Sequence, residues 1–463
     1  MIQADRPRTP ADLTPAIDRL FERSATKILD LERSWSASAG APVFTVDGRY
    51  ATRGWTEWTE GFQYGSALLQ FDATGDEAFL EIGRDRTVSR MPPHLTHVGV
   101  HDHGFNNVST YGALWRLAGE GRIDASEWEV RLYELALRVS GAVQARRWTK
   151  LPGGGFIHSF NGAHSLFVDT IRSLRALALS HVLGHRLIEE QDGQINLLAR
   201  LLQHARATAR YNVYYGVARD HFDVRGRVAH ESLFNAANGT YRGPSTQQGF
   251  SPFTTWTRGL AWAMLGFVEQ IEFLALLTPD SLTAAGEADP IPWMLEAARA
   301  TCDFYIDHAA CADGVPYWDT GAPGLAGLGD WGSRPSDPYN DREPVDSSAA
   351  AIACQGLLRL GRILHGRGED GSRYEQAGLR VLDTLIDESG PYVSGDPRHQ
   401  GLLLHSVYHW PNGWDHVPAG ASTPRGESSQ WGDYHLREAA LYVKRLAADQ
   451  PYLAFFGPLT RHD

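Results

Sequence analysis

Apolar residues recur at intervals of three and four along most of the chain, which is the period of an amphipathic helix. In the first such run, Leu13, Ile17, Leu20 and Phe21 fall on one face. Gly, Pro, Asp or Asn separates most runs, as expected where helices stop. The pattern predicts helices over residues 10–36, 59–73, 77–89, 106–119, 126–145, 166–184, 193–212, 252–277, 292–312, 346–366, 372–388 and 430–448.

Strand patterns are few, and the best candidate is a short β-hairpin within residues 216–233, with its turn at Asp223 to Arg227. No low-complexity linker divides the chain, so we expect one domain over residues 1–463. Helices in such number and alternation favour an all-α fold, a six-hairpin (α/α)6 barrel with a short β-hairpin insert. An open helical solenoid is the alternative, although no sequence repeat supports it.

Longer loops of such a barrel collect at one end, so we expect function in the non-helical inserts. Four inserts are long enough to form a cleft there, namely residues 91–105, 148–169, 214–253 and 317–346.

Charge and cysteine content narrow the classes of partner. The formal net charge is −12 and the sequence pI about 5.9, which argues against nucleic acid or an anionic membrane as a partner. Three cysteines, an odd number without metal or redox spacing, fit free thiols in a reducing compartment. The N-terminus lacks the apolar core of a signal peptide, so we expect a cytoplasmic protein of unknown oligomeric state.

The insert at 91–105 contains His97, His101 and His103 around Asp102, a composition that also occurs at metal sites. Residues 101 to 103 alternate in direction on an extended segment, so at most two of them could share one ion without a turn. We therefore predict neither a metal nor another cofactor. Asp102 is expected to be a cleft carboxylate, with His101 as a hydrogen-bond donor.

Asp169 is a second candidate carboxylate, because it lies among Leu166, Phe167, Val168 and Ile171. It could simply be a charge at a helix terminus. If it is buried, desolvation raises its pKa, and a neighbouring Asp102 raises that pKa further. The sequence then predicts a carboxyl group able to donate a proton near neutral pH.

The helix predicted over residues 252–277 contains Arg258 and Trp262, which are four residues apart and share a face. A buried guanidinium needs a partner, which is either a protein carboxylate or a substrate anion. In the second case the indole would stack on a sugar ring. Gln248, just before this helix, could offer its amide to a ligand or cap the helix.

Several motifs, taken in order, resemble those of the unsaturated glucuronyl hydrolases of glycoside hydrolase family 88, and more loosely those of the unsaturated rhamnogalacturonyl hydrolases. Any one motif is weak, but their order over nearly the whole chain is specific. The motifs are Trp58-Thr-Glu-Gly-Phe62, His101-Asp102-His-Gly-Phe105, Gln248-Gly-Phe250, Trp256-Thr-Arg258-Gly-Leu-Ala-Trp262, Pro316-Tyr-Trp-Asp319, Asp346-Ser-Ser348, Leu402-Leu-Leu-His405 and Trp431-Gly-Asp-Tyr434.

The resemblance implies an α/α barrel that removes a C4–C5 unsaturated uronic acid from the non-reducing end of lyase-generated oligosaccharides. It also implies hydration of the vinyl ether instead of ordinary glycoside hydrolysis. Asp169 matches the acid/base of the family, and Asp102 matches the second aspartate. The matched substrate-binding residues are Trp58, His101, Phe105, His230, Gln248, Arg258 and Trp262.

Departures from the family pattern leave the leaving sugar, the linkage and any sulfate preference open. Position 103 is histidine, position 260 is leucine, and the segment 332–343 has no counterpart. Two other classes of function stay open on the residues alone. One is a sugar epimerase or isomerase on the same barrel, and the other is a non-catalytic carbohydrate-binding protein.

Overall fold

Six inner helical elements pack side by side in a closed ring in the computed structural model, which describes residues 2–3, 6–54, 57–457 and 459. Some of these elements are split into two short helices. Numbered in chain order, they are α2 (Glu60–Thr74), α5 and α6 (His103–Asn107 and Ala113–Gly119), α8 and α9 (Thr170–Ser173 and Arg175–Val182), α11 (Thr257–Leu274), α14 (Ser347–Gly366) and α16 (Gln430–Ala447).

An outer layer of helices covers this ring, and each outer helix packs on inner neighbours. The architecture confirms the predicted (α/α)6 barrel. The outer helices are α1 (Pro10–Ser34), α3 (Glu77–Arg90), α7 (Glu127–Arg146), α10 (Leu197–Tyr211), α13 (Ile291–Phe304) and α15 (Ser372–Ile386), and two short helices, α4 (Pro92–Leu95) and α12 (Pro279–Ala284), lie in connections.

Helices of the two layers differ in how much of their surface is buried. Every residue of α11 is buried, as expected for a helix enclosed on all sides. In α1, by contrast, buried positions such as Leu13, Ile17 and Leu20 form one stripe and the opposite face is polar. The main apolar cluster contains residues from Leu13 to Phe456, so it draws on both ends of the chain.

The strands form four small antiparallel sheets within the described part of the chain. The one that matters for the site has the order β5-β8-β9. The strands are β1 (Phe44–Val46), β2 (Arg49–Ala51), β3 (Trp148–Leu151), β4 (Gly154–Ile157), β5 (Ser165–Phe167), β6 (Arg186–Ile188), β7 (Gln194–Asn196), β8 (Glu231–Phe234) and β9 (Tyr241–Ser245).

The predicted hairpin at 216–233 is wrong in position, because β8 pairs instead with β9 and β5. The segment predicted as its turn is a loop, in which the Asp223 carboxylate accepts hydrogen bonds from the backbone of Gly216, Val217 and Arg219. A short hairpin insert therefore exists, but β8 and β9 form it over Glu231–Phe234 and Tyr241–Ser245, and it belongs to a three-stranded sheet.

The helix predicted over residues 166–184 also needs correction, since its first residues form β5. A short apolar run such as Leu166-Phe167-Val168 fits a buried strand as well as a helix, and pairing with β8 decides for the strand. As a result Asp169 stands at the junction between β5 and α8.

Close approach between inner helices depends on glycine. A Cβ on Gly104 of α5 would lie 2.2 Å from the Ser173 carbonyl oxygen of α8, and one on Gly266 of α11 would lie 2.6 Å from the Ile171 side chain. Helix α8 is therefore held in direct backbone contact with α5 on one side. Within the described residues, no helix has the length and apolar character needed to cross a bilayer.

Candidate active site

A cavity of about 840 Å³ opens where the inner helices begin. Trp58 precedes α2, Asp102 precedes α5, Asp169 precedes α8 and Trp256 precedes α11, and all four residues line the cavity. The N-terminal ends of these helices therefore converge on it, and helix dipoles favour an anion there. Of the residues predicted for the site, the lining includes Trp58, His101, Asp102, Phe105, Asp169, Gln248, Arg258 and Trp262.

Asp102 and Asp169 meet at one wall of this cavity, with His101 between them. His101 Nε2 lies 3.5 Å from Asp102 Oδ1 and 3.4 Å from Asp169 Oδ2. All three side chains are buried, and one carboxylate oxygen of each aspartate and a ring nitrogen of His101 lie within 4.8 Å of one another. Two carboxyl groups 67 positions apart in sequence thus share one imidazole nitrogen.

Local hydrogen bonds explain this juxtaposition. Ser173 on α8 donates its hydroxyl to the His101 carbonyl oxygen at 2.7 Å and accepts from the Gly104 backbone N–H at 2.9 Å. Gln144 on α7 donates to the same carbonyl at 2.9 Å and to the Ser173 hydroxyl at 2.8 Å. The loop that contains Asp102 is therefore fastened to the helix that Asp169 begins.

The protonation of the pair differs from the expectation that burial raises the pKa of Asp169. Burial raises the pKa of Asp102 to about 6. For Asp169, burial acts in the same direction, but the hydrogen bond and charge of His101 outweigh it and lower the pKa. Burial disfavours the His101 cation, yet the charge of Asp102 and the contact with Asp169 raise its pKa. In the ligand-free protein His101 therefore keeps its proton to the highest pH of the three groups, and Asp169 is the first to lose its proton.

His230 lies directly behind the cavity wall, next to Asp169. Residue pairing places it there, because β5 and β8 are antiparallel and the Val168 N–H donates to the His230 carbonyl oxygen at 3.0 Å. Its Nδ1 accepts the backbone N–H groups of Gln247 and Gln248 at 3.0 and 3.3 Å. The proton of the neutral ring is thus on Nε2, which has no acceptor among the described residues.

Burial lowers the pKa of His230 to about 4, so the ring is uncharged at neutral pH. A buried N–H without an acceptor costs free energy, and a bound ligand that supplies an acceptor removes this cost. His230 is accordingly placed to donate a hydrogen bond beside Asp169.

The sequence left either a protein carboxylate or a substrate anion as the partner of Arg258. In the structure its main partner is a protein carboxylate. Nη1 donates to Asp346 Oδ2 at 3.1 Å and to the Val407 carbonyl oxygen. Nη2 donates to Gln248 Oε1 at 2.8 Å and to the Tyr408 carbonyl oxygen at 2.7 Å. The guanidinium lines the cavity, but these hydrogen bonds go to the protein.

Aromatic rings form much of the remaining surface. The ring of Trp58 stacks on Trp431 with 5.1 Å between centroids, and Phe105 lies 4.9 Å from Trp262. Phe105 and Trp262 are almost fully buried, so they form the floor, whereas Trp58 is partly exposed. Flat apolar faces of this kind suit the C–H-rich faces of a sugar ring.

Two features that the sequence left unassigned have structural contacts. His103 Nδ1 bonds the Ser140 hydroxyl at 3.1 Å and Nε2 bonds the His97 carbonyl oxygen at 3.0 Å. In the segment 332–343, Glu343 accepts from the Trp318 indole at 2.7 Å and the Gly324 N–H at 2.7 Å. Neither His103 nor the segment 332–343 is part of the cavity lining in the described chain.

Sequence reasoning missed one wall of the cavity. That wall comes from the loop before α16, in which aromatic residues flank a Pro411-Asn412-Gly413 turn. The aromatic density of this loop was the available signal, but nothing local indicated which loop would reach the cavity. The lining residues of this loop are Tyr408, His409, Asn412 and Trp414, and other missed lining residues are Arg53, Phe160, Asn161, Phe167 and Gln247.

A cavity with aromatic faces and two buried aspartates suits the binding of a sugar and acid–base chemistry on it. No protein-family model matches the chain. It is 27% identical over 409 residues to an unsaturated glucuronyl hydrolase of Bacillus sp. (strain GL1), covering 86% of this chain and 89% of that protein. It is 24% identical to an unsaturated chondroitin disaccharide hydrolase of Streptococcus pyogenes serotype M1, covering 93% and 90%.

The solved structure of an unsaturated glucuronyl hydrolase from Bacillus sp. GL1 has the same fold, with a TM-score of 0.68 at 23% identity over 96% of this chain and 98% of that one. The comparisons confirm the resemblance to the unsaturated glucuronyl hydrolases that the motifs indicated. They also confirm the prediction of a glycoside hydrolase, and they do not favour an epimerase or a non-catalytic binding protein.

Proposed function

We propose that this enzyme releases a C4–C5 unsaturated uronic acid from the non-reducing end of lyase-generated oligosaccharides by hydrating the vinyl ether, with Asp169 as acid and base. The observation that carries the proposal is the pair of buried aspartates that share His101 Nε2 at the wall of an aromatic cavity. The relatives named for unsaturated uronyl substrates support the same activity.

The contact of both carboxylates with one imidazole nitrogen supports hydration over ordinary glycoside hydrolysis. Their nearest oxygens lie within 4.8 Å. Retaining glycosidases separate their carboxyl groups by about 5–5.5 Å and inverting ones by about 6.5–9.5 Å, with the anomeric carbon between them. Here His101 occupies the space between the carboxylates, so the two groups act from one side of the sugar.

In the proposed reaction, protonated Asp169 transfers its proton to C4, and positive charge develops at C5 and the ring oxygen. The Asp169 carboxylate then takes a proton from the water that adds at C5. The acid is thereby regenerated, so one residue suffices for both steps. The resulting hemiketal opens, and the exposed hemiacetal at C1 releases the remaining sugar.

Substrate binding supplies the proton that Asp169 lacks in the ligand-free protein. A uronate next to Asp169 adds a like charge and removes water, and both effects raise the pKa of a carboxyl group. The nearest donor is the His101 N–H, 3.4 Å away, which is itself backed by Asp102 at 3.5 Å. Transfer along this contact makes Asp169 the acid only when the cavity is filled.

The activity is tested with a panel of unsaturated disaccharides prepared by lyases from chondroitin, hyaluronan, heparin, gellan and xanthan. Loss of the ultraviolet absorbance of the conjugated alkene, together with release of the second sugar, is the expected result for at least one linkage. The panel also identifies the leaving sugar. Sugar binding without loss of absorbance across the whole panel would contradict the proposal.

We also propose that the reaction takes place in the cytoplasm. Cys302, Cys311 and Cys354 are buried free thiols, which fits a reducing compartment. Fractionation of the source cells with an antibody against the chain tests this, and recovery outside the cytoplasm would contradict it.

A further inference from the structure

We propose that His409 is a specificity-determining residue that binds the uronate carboxylate of the substrate through its Nδ1–H, with Gln248 as the neighbouring donor. This inference rests on the proposed function, because it names how the same cavity selects an acidic sugar. It assigns to Arg258 a positioning role and leaves recognition of the carboxylate to uncharged N–H groups.

The first step is that Arg258 has few hydrogen atoms left for a ligand. Each of its two Nη nitrogens carries two hydrogens, and each nitrogen already donates to two acceptors of the protein. The guanidinium also lies over two indole rings, with its Cζ 4.7 Å from the centroid of Trp256 and 5.0 Å from that of Trp431. A carboxylate that displaced these partners would leave Asp346 buried without its ion pair, which is costly.

The second step is that Arg258 holds two other groups in place. By donating to Gln248 Oε1, it fixes the amide so that the NH₂ group points away from the guanidinium. By donating to the carbonyl oxygens of Val407 and Tyr408, it fixes the backbone that leads into His409. From the other side, Asp415 accepts the backbone N–H groups of Tyr408 and His409, the latter at 2.8 Å.

The third step concerns the proton of the His409 ring, which lines the cavity and is buried. Burial, the charge of Arg258 and the proximity of His230 lower the pKa of His409 to about 4, so the ring is neutral. The Asn412 amide nitrogen can only donate, and it lies 3.1 Å from His409 Nε2. Nε2 is thus the acceptor, and Nδ1 carries the hydrogen.

Nδ1 has no hydrogen-bond partner among the described residues. A donor that is held so firmly and left without an acceptor incurs a desolvation cost, which a ligand oxygen would relieve. The acceptor is best assigned as a carboxylate, because His409 adjoins the positive charge of Arg258.

The test compares three substitutions of His409 with an unsaturated uronyl disaccharide as substrate. In His409→Asn the amide nitrogen is as many bonds from Cα as Nδ1, whereas His409→Gln places it at the position of Nε2 and His409→Leu removes it. Since a hydrogen bond to a charged group is involved, we expect Leu and Gln to raise KM about tenfold to a hundredfold, with kcat changed less than about threefold. The Asn variant should keep KM within about threefold of the wild type.

The methyl ester of the same disaccharide separates recognition of the acid from a general packing role. The wild type should use the ester with a raised KM, and His409→Leu should have little further effect on it. Equal losses on acid and ester, or an unchanged KM for the acid in His409→Leu, would overturn the inference. Equal effects of Asn and Gln would also overturn it, because a structural role does not distinguish the two amide positions in this way.

A binding measurement distinguishes failure of this inference from failure of the proposed function. Calorimetry with saturated glucuronate needs no turnover, and His409→Leu should weaken its binding at least tenfold while thermal unfolding confirms that the variant is folded. Weakened binding without turnover by the wild type would preserve the inference and reject the function. Turnover by the wild type together with unweakened glucuronate binding by His409→Leu would preserve the proposed function and reject the inference.

Discussion

The contact of His101 with both aspartates decides how protons are stored at this site. A single imidazole nitrogen lies 3.5 Å from Asp102 and 3.4 Å from Asp169. Its charge is the reason that Asp169 is ionised before substrate arrives, and the pKa of Asp102 is the one that is raised, to about 6. The three groups titrate as one unit, so the acid is defined by the unit and the bound substrate together.

Replacing His101 by Asn tests this storage role. The wild type can supply a proton to Asp169 until His101 itself loses its proton, and the pKa of His101 is raised above its usual 6.5. The variant must keep its proton on the carboxyl pair, and loss of the His101 charge raises the pKa of both carboxyl groups. We expect the alkaline limb of the pH profile of kcat/KM to follow the carboxyl pair instead of the imidazole and so to move, with kcat reduced. An unmoved limb would show that His101 does not hold the proton.

At the level of single residues, the sequence predicted some features of the site and not others. Asp102 and Asp169 stood out because each is an acid within an apolar or histidine-rich segment, and the structure brings them together. Which of them has the raised pKa could not be derived, since it depends on an imidazole contact that forms only in the fold. His409 was missed for a similar reason, because its tautomer and burial depend on Arg258 from a distant helix and on the way its own loop folds back to bring Asn412 and Asp415 beside it.

Among the elements, the junction of α5 and α8 sets the distance between the two aspartates. Gly104 allows the backbones to touch, and Ser173 joins them with hydrogen bonds to the His101 carbonyl and the Gly104 N–H. The predicted helices around this junction were found nearly where expected, because their amphipathic period is strong. The strand β5 was not expected, because three apolar residues do not distinguish strand from helix without knowledge of the partner strand.

Gly104→Ala tests the junction, since the added Cβ would lie 2.2 Å from the Ser173 carbonyl oxygen. We expect a loss of about 1–3 kcal/mol in the free energy of unfolding, because backbone must move to accept the methyl group. We also expect kcat/KM to fall at least about tenfold, since displacement of the aspartates misaligns the acid. Chemical denaturation and steady-state kinetics measure the two effects.

The matched control is Gly366→Ala at the end of α14, where an added Cβ meets nothing within 4 Å. It should leave both stability and activity intact, because alanine suits a helix at least as well as glycine. Equal behaviour of the two variants would mean that the contact between α5 and α8 is not a constraint.

For the whole molecule, closure of the ring depends on buried ion pairs between elements far apart in the chain. Arg172 on α8 bonds Glu269 on α11 at 3.0 Å and Glu438 on α16 at 2.7 Å. Arg175 lies near the same two carboxylates, at 3.7 and 4.0 Å. Periodicity predicted the number and order of the helices and so the barrel, but this network was not foreseen because its members look like isolated charges in sequence.

Glu438→Gln tests the contribution of the network to closure. The variant leaves Glu269 as the carboxylate partner of Arg172 among the described residues, and we expect a loss of about 3 kcal/mol, the lower end for breaking a buried pair. Burial raises the pKa of Glu438, but Arg172, His435 and Arg175 outweigh it and lower the pKa below the usual 4.5. The stabilisation is therefore complete above that pH and shrinks as pH falls below it.

Denaturation of both proteins at pH 7 and pH 4 measures the difference in free energy of unfolding. Glu127→Gln is the control, because its pair with Arg131 is exposed and should contribute nothing measurable. A difference for Glu438→Gln that stays constant with pH would contradict the assigned role of its carboxylate.

The most direct measurement of the central claim compares an unsaturated uronyl disaccharide with its saturated counterpart, using wild type and Asp169→Asn. Hydration needs the double bond and one carboxyl group that both gives and takes a proton. We predict that the wild type removes the alkene absorbance of the unsaturated compound and leaves the saturated compound intact. The kcat of Asp169→Asn should be at least about a thousandfold lower than that of the wild type. Cleavage of the saturated compound at a similar rate, or full activity of Asp169→Asn, would contradict the account.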